Sequence, residues 1–283
     1  MKVLVLSDIH GNWPALQAVL NAEPDAAQII CLGDLVNYGP QPVECVVWAM
    51  RLTSPSLVIQ GNHDRAFGLG TAPNCAPPFQ QLAGAVQAAT SHLLAPEMRR
   101  FLADSQPLQR FRLGDATCVA CHTRPRDPRY SGFGKQDWQS WGESEPKPGE
   151  GPFQAFPRES ARAQPESEIV LVGHPDMPFL LIGHPNLLFL GYTHTPMKTE
   201  FRGTLVVIPG SVGLPLDGDP RAAYAVWQDG EATLRRAAYD VEEAVRAFEP
   251  LTLDERIKHH LVGGLRTGGG VATYLPADTA TGR

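Results

Sequence analysis

Apolar and polar positions along the chain follow two periods. KVLVLS (2–7), IICLG (29–33) and SLVIQG (56–61) are short, nearly continuous apolar runs that end at Asp, Gly or Asn. That is the form of a strand covered on both faces. Between them, PALQAVLNA (14–22) and PVECVVWAMRL (42–52) repeat at helical spacing, with Leu16, Val19 and Leu20 on one face and Pro14 at a first helical position. Strand, helix, strand, helix, strand predicts an α/β fold with a largely parallel sheet.

Helical spacing returns from Gln80 to Ala103, and FRLGDATCVAC (111–121) reads as a hairpin or paired strands. TLVVIPGSVG (204–213), AAYAVW (222–227) and EATLRRAAY (231–239) read as antiparallel strands of a second sheet. DVEEAVRAF (240–248) and LDERIKHHLV (253–262) read as helices. VLVGHP, LLIGHP and LFLGYT look like a local repeat, too closely spaced for a solenoid. Residues 130–167 have no sustained period and are rich in Gly, Pro, Ser and Glu. They are expected to form a long surface insertion, a lid or a poorly ordered loop. The expected organisation is one domain over 1–250 that carries this insertion, then a C-terminal helix and flexible tail over 251–283.

Composition narrows the class. At 283 residues, 43% hydrophobic and 19% charged, the chain can bury a sizeable core without disulfides. A net charge of −6 speaks against a general nucleic-acid or anionic-membrane binder, but not against a small phosphorylated substrate held by a local metal. No run approaches the roughly 20 apolar residues of a membrane span. The first residues lack a small-residue cleavage site, so a cytoplasmic location is expected. Five cysteines without framework spacing fit a reducing compartment. Cys118, Cys121 and His122 spell the haem-attachment pattern, but TCVAC reads better as a buried strand whose cysteines act as small hydrophobes. Nothing in the pattern speaks to oligomeric state.

The candidate chemistry lies at the ends of the apolar runs. KVLVLS leads to Asp8 and His10, IICLG to Asp34, LVIQG to Asn62 and His63, TCVAC to His122, and NLLFLG to His194. Sites in open α/β sheets form at carboxyl ends of strands, so these residues are expected to converge. Each piece alone has an ordinary reading, as a helix cap or a tight turn. Their recurrence, in order, each after an apolar run, favours a metal site. Carboxylate, imidazole and amide oxygen suit Mn, Fe, Zn or Ni, with Mn the first choice. Asp34 can bridge two ions, and a pair roughly 3.5–4 Å apart can clamp an in-line phosphoryl displacement.

DIHGN, GDLVNYGP, GNHD, the strand ending in His122 and GYTHTP together resemble the calcineurin-like metallophosphoesterases. PGSVG followed by DGDPRAAYAV is similar to the bacterial predicted-phosphoesterase branch, the small-molecule phosphodiesterase-like one. The resemblance spans most of residues 1–240. It implies an α/β fold: an αββα sandwich of two mixed sheets flanked by helices, with two divalent ions at the strand C-terminal rim. It implies Asp8, His10, Asp34 and His194 as ligands of the first ion, and Asp34, Asn62 and His122 as ligands of the second. His63 is implied as the general acid, a task that a neutral-range pKa would suit. The implied activity is hydrolysis of a phosphodiester or phosphomonoester by a metal-bound hydroxide.

Three departures qualify that expectation. Asn37 and Tyr38 stand where the protein-phosphatase branch has Asp and Arg, which removes the acid histidine's carboxylate partner and a phosphate-gripping guanidinium. Thr123 follows His122 where the branch usually has glycine. Tyr192 stands where a histidine would complete the second ion's ligands, so a filled first site and a weaker second site are expected. Tyr192 itself, or His174 from a preceding GHP turn, are the candidates for that vacant position. Arg124 and Arg126, with Asn12 and Asn37, are the candidate substrate contacts. The alternatives are a metal-binding regulatory protein with weak or no turnover, or a dinucleoside polyphosphate or protein phosphatase-type hydrolase.

Overall fold

Side-chain alternation along β1 (Lys2–Leu6) divides the interior into two layers. Val3 and Val5 point into one core, and Leu4 and Leu6 into another. The same parity recurs in β2 (Gln28–Cys31), where Ile30 joins Val3 and Val5 while Cys31 joins Leu4 and Leu6. A sheet covered on both faces needs apolar residues at every position, which is why these runs are nearly continuous.

The computed structural model describes residues 1–75, 77–122, 187–191, 194–201 and 204–269. The first sheet has the order β10-β9-β1-β2-β3. β3 (Leu57–Val58) pairs parallel to β2, and β2 parallel to β1. β9 (Ala222–Gln228) runs antiparallel to β1, and β10 (Glu231–Ala237) antiparallel to β9. The second sheet has the order β4-β5-β6-β8-β7. In it, β5 (Ala116–Cys121), β6 (Leu187–Leu190) and β8 (Thr204–Ile208) are parallel, with β4 (Leu108–Leu113) and β7 (Met197–Phe201) antiparallel at the edges.

The sheets pack face to face. Val3, Val5, Ile30, Leu32 and Ile59 from the first meet Leu113, Cys118, Ala120 and Val207 from the second. The first sheet's other face is covered by α1 (Trp13–Ala22), α2 (Pro42–Met50) and α5 (Pro96–Asp104), through Leu16, Val19, Val46, Ala49 and Leu102. A third core joins α4 (Pro77–Thr90), α6 (Val241–Arg246) and α7 (Glu255–Thr267) around Leu82, Val86, Phe248 and Leu261.

Four differences from the sequence reading have local causes. AAYAVW and EATLRRA belong to the first sheet, not the second, because β9 pairs with β1 at Val3↔Trp227 and Leu4↔Val226. Strand period does not reveal which sheet a strand joins. The helical stretch 80–103 is two helices, because Pro96 starts α5 and forces Ala95 into extended backbone. The guanidinium of Arg99 satisfies the carbonyls of Ser91 and Leu94 at this break. Third, GNHD leads into a helix that the sequence reading did not assign. It opens α3 (Asn62–Leu69), a helix with little apolar periodicity that Gly70 closes in left-handed backbone. The fourth is β7, an edge strand whose polar sequence carries no strand signal. The insertion at 130–167 and the tail from 270 onward lie outside the described residues.

Among the described residues, no helix is long and apolar enough to cross a membrane. Cys118 and Cys121 are buried, as the small-hydrophobe reading requires.

Candidate metal centre

Six parallel strands, three from each sheet, end at one rim, and the loops that follow them interlock through their backbones. Asp8 N–H donates to Gly33 at 3.0 Å and His10 N–H to Asp34 at 2.9 Å. Gly213 N–H and the Ser211 hydroxyl both donate to the carbonyl of Asp8. These turns place Asp8, His10 and Asp34 at φ of 53°, 48° and 54°. Non-glycine residues in left-handed backbone cost energy and persist only where the surroundings hold them.

The convergence is close. His122 Nε2 lies 3.1 Å from Asp34 Oδ2, and His10 Nε2 lies 3.9 Å from the same oxygen. Asp8 Oδ1 is 3.7 Å from His10 Nε2 and 3.6 Å from His194 Nε2. Asp8, His10 and His194 form one set whose ligand atoms lie within 4.8 Å of one another, and Asp8, Asp34 and His122 form another.

Three imidazoles are held alike. His10 Nδ1 meets the Val36 carbonyl at 3.1 Å, His122 Nδ1 meets that of Leu32 at 2.8 Å, and His194 Nδ1 meets that of Leu214. A carbonyl only accepts, so each Nδ1 carries a proton and each Nε2 is directed toward the carboxylates. Both oxygens of Asp8, His10 Nε2 and Asn62 Oδ1 are buried without a hydrogen-bond partner. The Asn62 amide is oriented by its Nδ2, which donates to the Asn74 carbonyl at 3.0 Å. Orphaned buried acceptors of this kind are costly unless a cation meets them. The donor set fits a divalent ion of the Mn, Fe, Zn or Ni type.

The electrostatics agree. Burial pushes the Asp8 carboxyl up. Burial acts on Asp34 in the same direction, but His122, His63 and His10 outweigh it and hold this carboxyl below its usual range. Burial pulls His122 down, yet Asp34 and Asp8 overcome it and raise the ring to about 9. Burial lowers His10 well below the usual value.

His63 lies beside this set, its Nε2 4.0 Å from Asp34 Oδ2. Its Nδ1 meets Asn37 Nδ2 at 2.8 Å. The Asn37 oxygen is taken by Tyr38 N–H at 2.8 Å, so the amide nitrogen faces His63 and Nδ1 must accept. The ring proton then sits on Nε2, toward the carboxylates. Burial lowers His63 to about 4, so the ring is neutral at pH 7 rather than poised near neutrality.

Asn12 spends its amide on the fold. Its oxygen caps α1 at Ala15 N–H, and its nitrogen donates to Gly213 and to Tyr239. Asn37 likewise orients His63. Arg124, Arg126, His174 and Tyr192 lie outside the described residues.

Three residues quoted in the sequence motifs but given no role there also build the site. Asp64, the last residue of GNHD, accepts from the N–H groups of Asp34 and Leu35 at 2.8 Å and of Gly61 at 3.0 Å. It thereby ties the second loop to the third. Tyr38 packs edge-on against His10 and His63, each 4.9 Å between ring centroids. Ser211 braces Asp8. None has metal-ligand spacing, and only the close approach of the loops reveals them.

That approach depends on glycine at two points. A Cβ on Gly213 would lie 1.8 Å from the Ile9 carbonyl, and one on Gly61 2.0 Å from Asp34 Oδ1. Gly61→Ala must therefore displace the Asp34 carboxylate. It is expected to weaken metal binding by about 10- to 100-fold, the usual cost of disturbing a ligand's support. Calorimetric titration of the variant with Mn²⁺ checks this.

Comparison with known proteins gives a consistent picture. Residues 1–196 match the family model of the calcineurin-like phosphoesterases. An uncharacterized protein of Methanocaldococcus jannaschii is 28% identical over 282 residues, covering 93% of this chain and 98% of that one. The phosphodiesterase YfcE of Escherichia coli is 44% identical over 43 residues, 14% of this chain and 23% of its own. Among solved structures, a metallophosphoesterase from Sphaerobacter thermophilus is 26% identical with a TM-score of 0.64. The match covers 95% of this chain and 99% of that one.

Proposed function

The chain belongs to the calcineurin-like phosphoesterase family, and from that premise we propose that it is a metal-dependent hydrolase of a small phosphodiester or phosphomonoester. Asp8, His10, His194 and Asp34 are the ligands of a first divalent ion, and Asp34, Asn62 and His122 those of a second. The observation that carries this reading is the buried Asp8 carboxylate, His10 Nε2 and Asn62 Oδ1, which meet no hydrogen-bond donor, with Asp8 and His10 in the sets that Asp34, His122 and His194 complete. Two bound ions would supply Lewis acidity, lowering the pKa of water and screening the phosphate charge.

The chain's own residues do the rest. The His63 backbone N–H donates to Asp34 Oδ1 at 3.0 Å, so Oδ2 is the oxygen that Asp34 would offer to the ions. His63, oriented by Asn37, presents Nε2–H to the leaving oxygen. Among the described residues, the ion pairs of Asp8 and Asp34 are all with histidines. Asn37 and Tyr38, standing where the protein-phosphatase branch has Asp and Arg, support a small-molecule ester over a protein phosphatase's substrate.

The test is ion content and turnover on the same preparation. Two ions per chain, with Mn²⁺-dependent hydrolysis of bis-nitrophenyl phosphate or nitrophenyl phosphate, is the expected result. Bound ions without turnover on either ester would favour a regulatory metal-binding protein.

Two further outcomes follow from the ligand assignment. His122, held at about 9, carries a proton that a metal must displace. Metal uptake at about pH 7.5 should release that proton, and affinity should rise with pH until roughly pH 9 and then level off. Calorimetry in buffers of different ionisation enthalpy measures both. Tyr192 stands where the family's second-site histidine would be, and a neutral phenol with a reference pKa of about 10 is a poor ligand. Tyr192→His should tighten the second ion and raise activity at low metal. If His174→Ala empties that site while Tyr192→His changes nothing, His174 is the substitute.

A further inference from the structure

Asp8 is better placed than a ligand of one ion needs to be. Its side chain is fully buried, and neither Oδ1 nor Oδ2 has a hydrogen-bond partner. Oδ1 faces His10 and His194 at 3.7 and 3.6 Å. The residue also belongs to the set with Asp34 and His122, whose ligand atoms lie within 4.8 Å of one another. Asp34 differs, because His63 N–H occupies its Oδ1.

The backbone aims this carboxylate. Asp8 N–H donates to Gly33, and the Asp8 carbonyl accepts from Gly213 N–H and from the Ser211 hydroxyl at 2.8 Å. These bonds hold φ at 53° and leave both carboxylate oxygens without a hydrogen-bond donor. The second ion's proposed ligands, meanwhile, are only Asp34, Asn62 and His122, one short of the usual four.

We propose that Asp8 is a second bridging carboxylate: one oxygen serves the His10–His194 ion, and the other completes the ion held by Asp34, Asn62 and His122. Asp8 thereby supplies the donor that the histidine absent at position 192 would have provided. This inference rests on the two-ion reading above.

Metal-stripped wild-type, Asp8→Asn and His194→Ala chains are titrated with Mn²⁺, with ions counted by elemental analysis and dissociation constants read by calorimetry. Asn is isosteric and tolerates left-handed backbone, and Asp8→Gly adopts φ 53° without strain, so a second variant repeats the measurement if the first misfolds. His194→Ala should lose the first ion and keep the second within about threefold of wild-type affinity, since His194 is no ligand of that ion. Asp8→Asn should lose the first ion and weaken the second at least about tenfold beyond His194→Ala. Equal second-ion affinity in the Asp8 and His194 variants, with two ions on wild type, overturns this inference alone. Fewer than two ions on wild type overturns the two-ion reading and this inference with it.

Discussion

Replacing Asp34 with asparagine should empty both ion positions and cost more activity than any other single ligand change. Asp34 Oδ2 faces His122 at 3.1 Å and His10 at 3.9 Å, so one oxygen addresses both ligand sets. In Asp34→Asn the carboxamide oxygen can still accept from His63 N–H, which leaves the loop in place. The amide nitrogen then turns toward the histidines, replacing an anionic acceptor with a donor where a cation would bind. Because both ions depend on that oxygen, the loss in turnover should exceed the roughly 100- to 10,000-fold attributable to a general acid alone. Ion content and turnover across Asp34→Asn, His10→Ala, His122→Ala and His194→Ala provide the comparison. An Asp34→Asn chain that retains both ions and near-normal rates would refute the bridging role.

The second large effect is expected at His63. His63→Ala should leave ion content nearly unchanged and lower turnover by roughly 100- to 10,000-fold on esters with poor leaving groups. Nitrophenolate leaves without a proton, so the loss on nitrophenyl esters should be much smaller. The geometry adds a pH signature. Burial holds His63 at about 4, and Asn37 Nδ2 donates to its Nδ1, so the neutral ring keeps its proton on Nε2 and acts as a hydrogen-bond donor to the leaving oxygen, which takes its proton from solvent. The ratio of wild-type to His63→Ala turnover should therefore stay flat from about pH 6 to 8. A ratio that collapses as pH rises through that window would mean that the acting form is the imidazolium. Asn37→Ala, which frees the ring without removing it, should reduce turnover less than His63→Ala and leave ion content unchanged.

The residues legible in advance share one property: each follows an apolar run directly. A buried parallel strand must end at the sheet rim, so its next polar residue is delivered there whatever the rest of the chain does. Asp8, Asp34, Asn62, His63 and His122 were readable on that basis. Asp64 and Tyr38 were not, because their roles are bonds to backbone and ring faces contributed by other loops. The helix at 62–69 escaped for a different reason. Its buried side begins with Asn62, His63 and Asp64 and has only Ala66 and Phe67 as apolar members, too few to show an apolar period.

The sequence by itself determined the parallel βαβαβ start, the positions of the candidate ligands and, through the five ordered motifs, the family. These are local or order-dependent properties, carried by period, punctuation and spacing. The tertiary structure alone decided that β9 joins β1 in the first sheet, with β10 beyond it, because strand pairing is settled between segments more than 200 residues apart, as Val3↔Trp227 shows. It alone turned three Nδ1 atoms to carbonyls of distant residues and left the Nε2 atoms facing carboxylates. It alone showed that Asp34 Oδ1 accepts from the His63 backbone while neither Asp8 oxygen has a hydrogen-bond donor. Such assignments depend on where hydrogen-bond partners fall in space, and spacing along the chain carries no record of that.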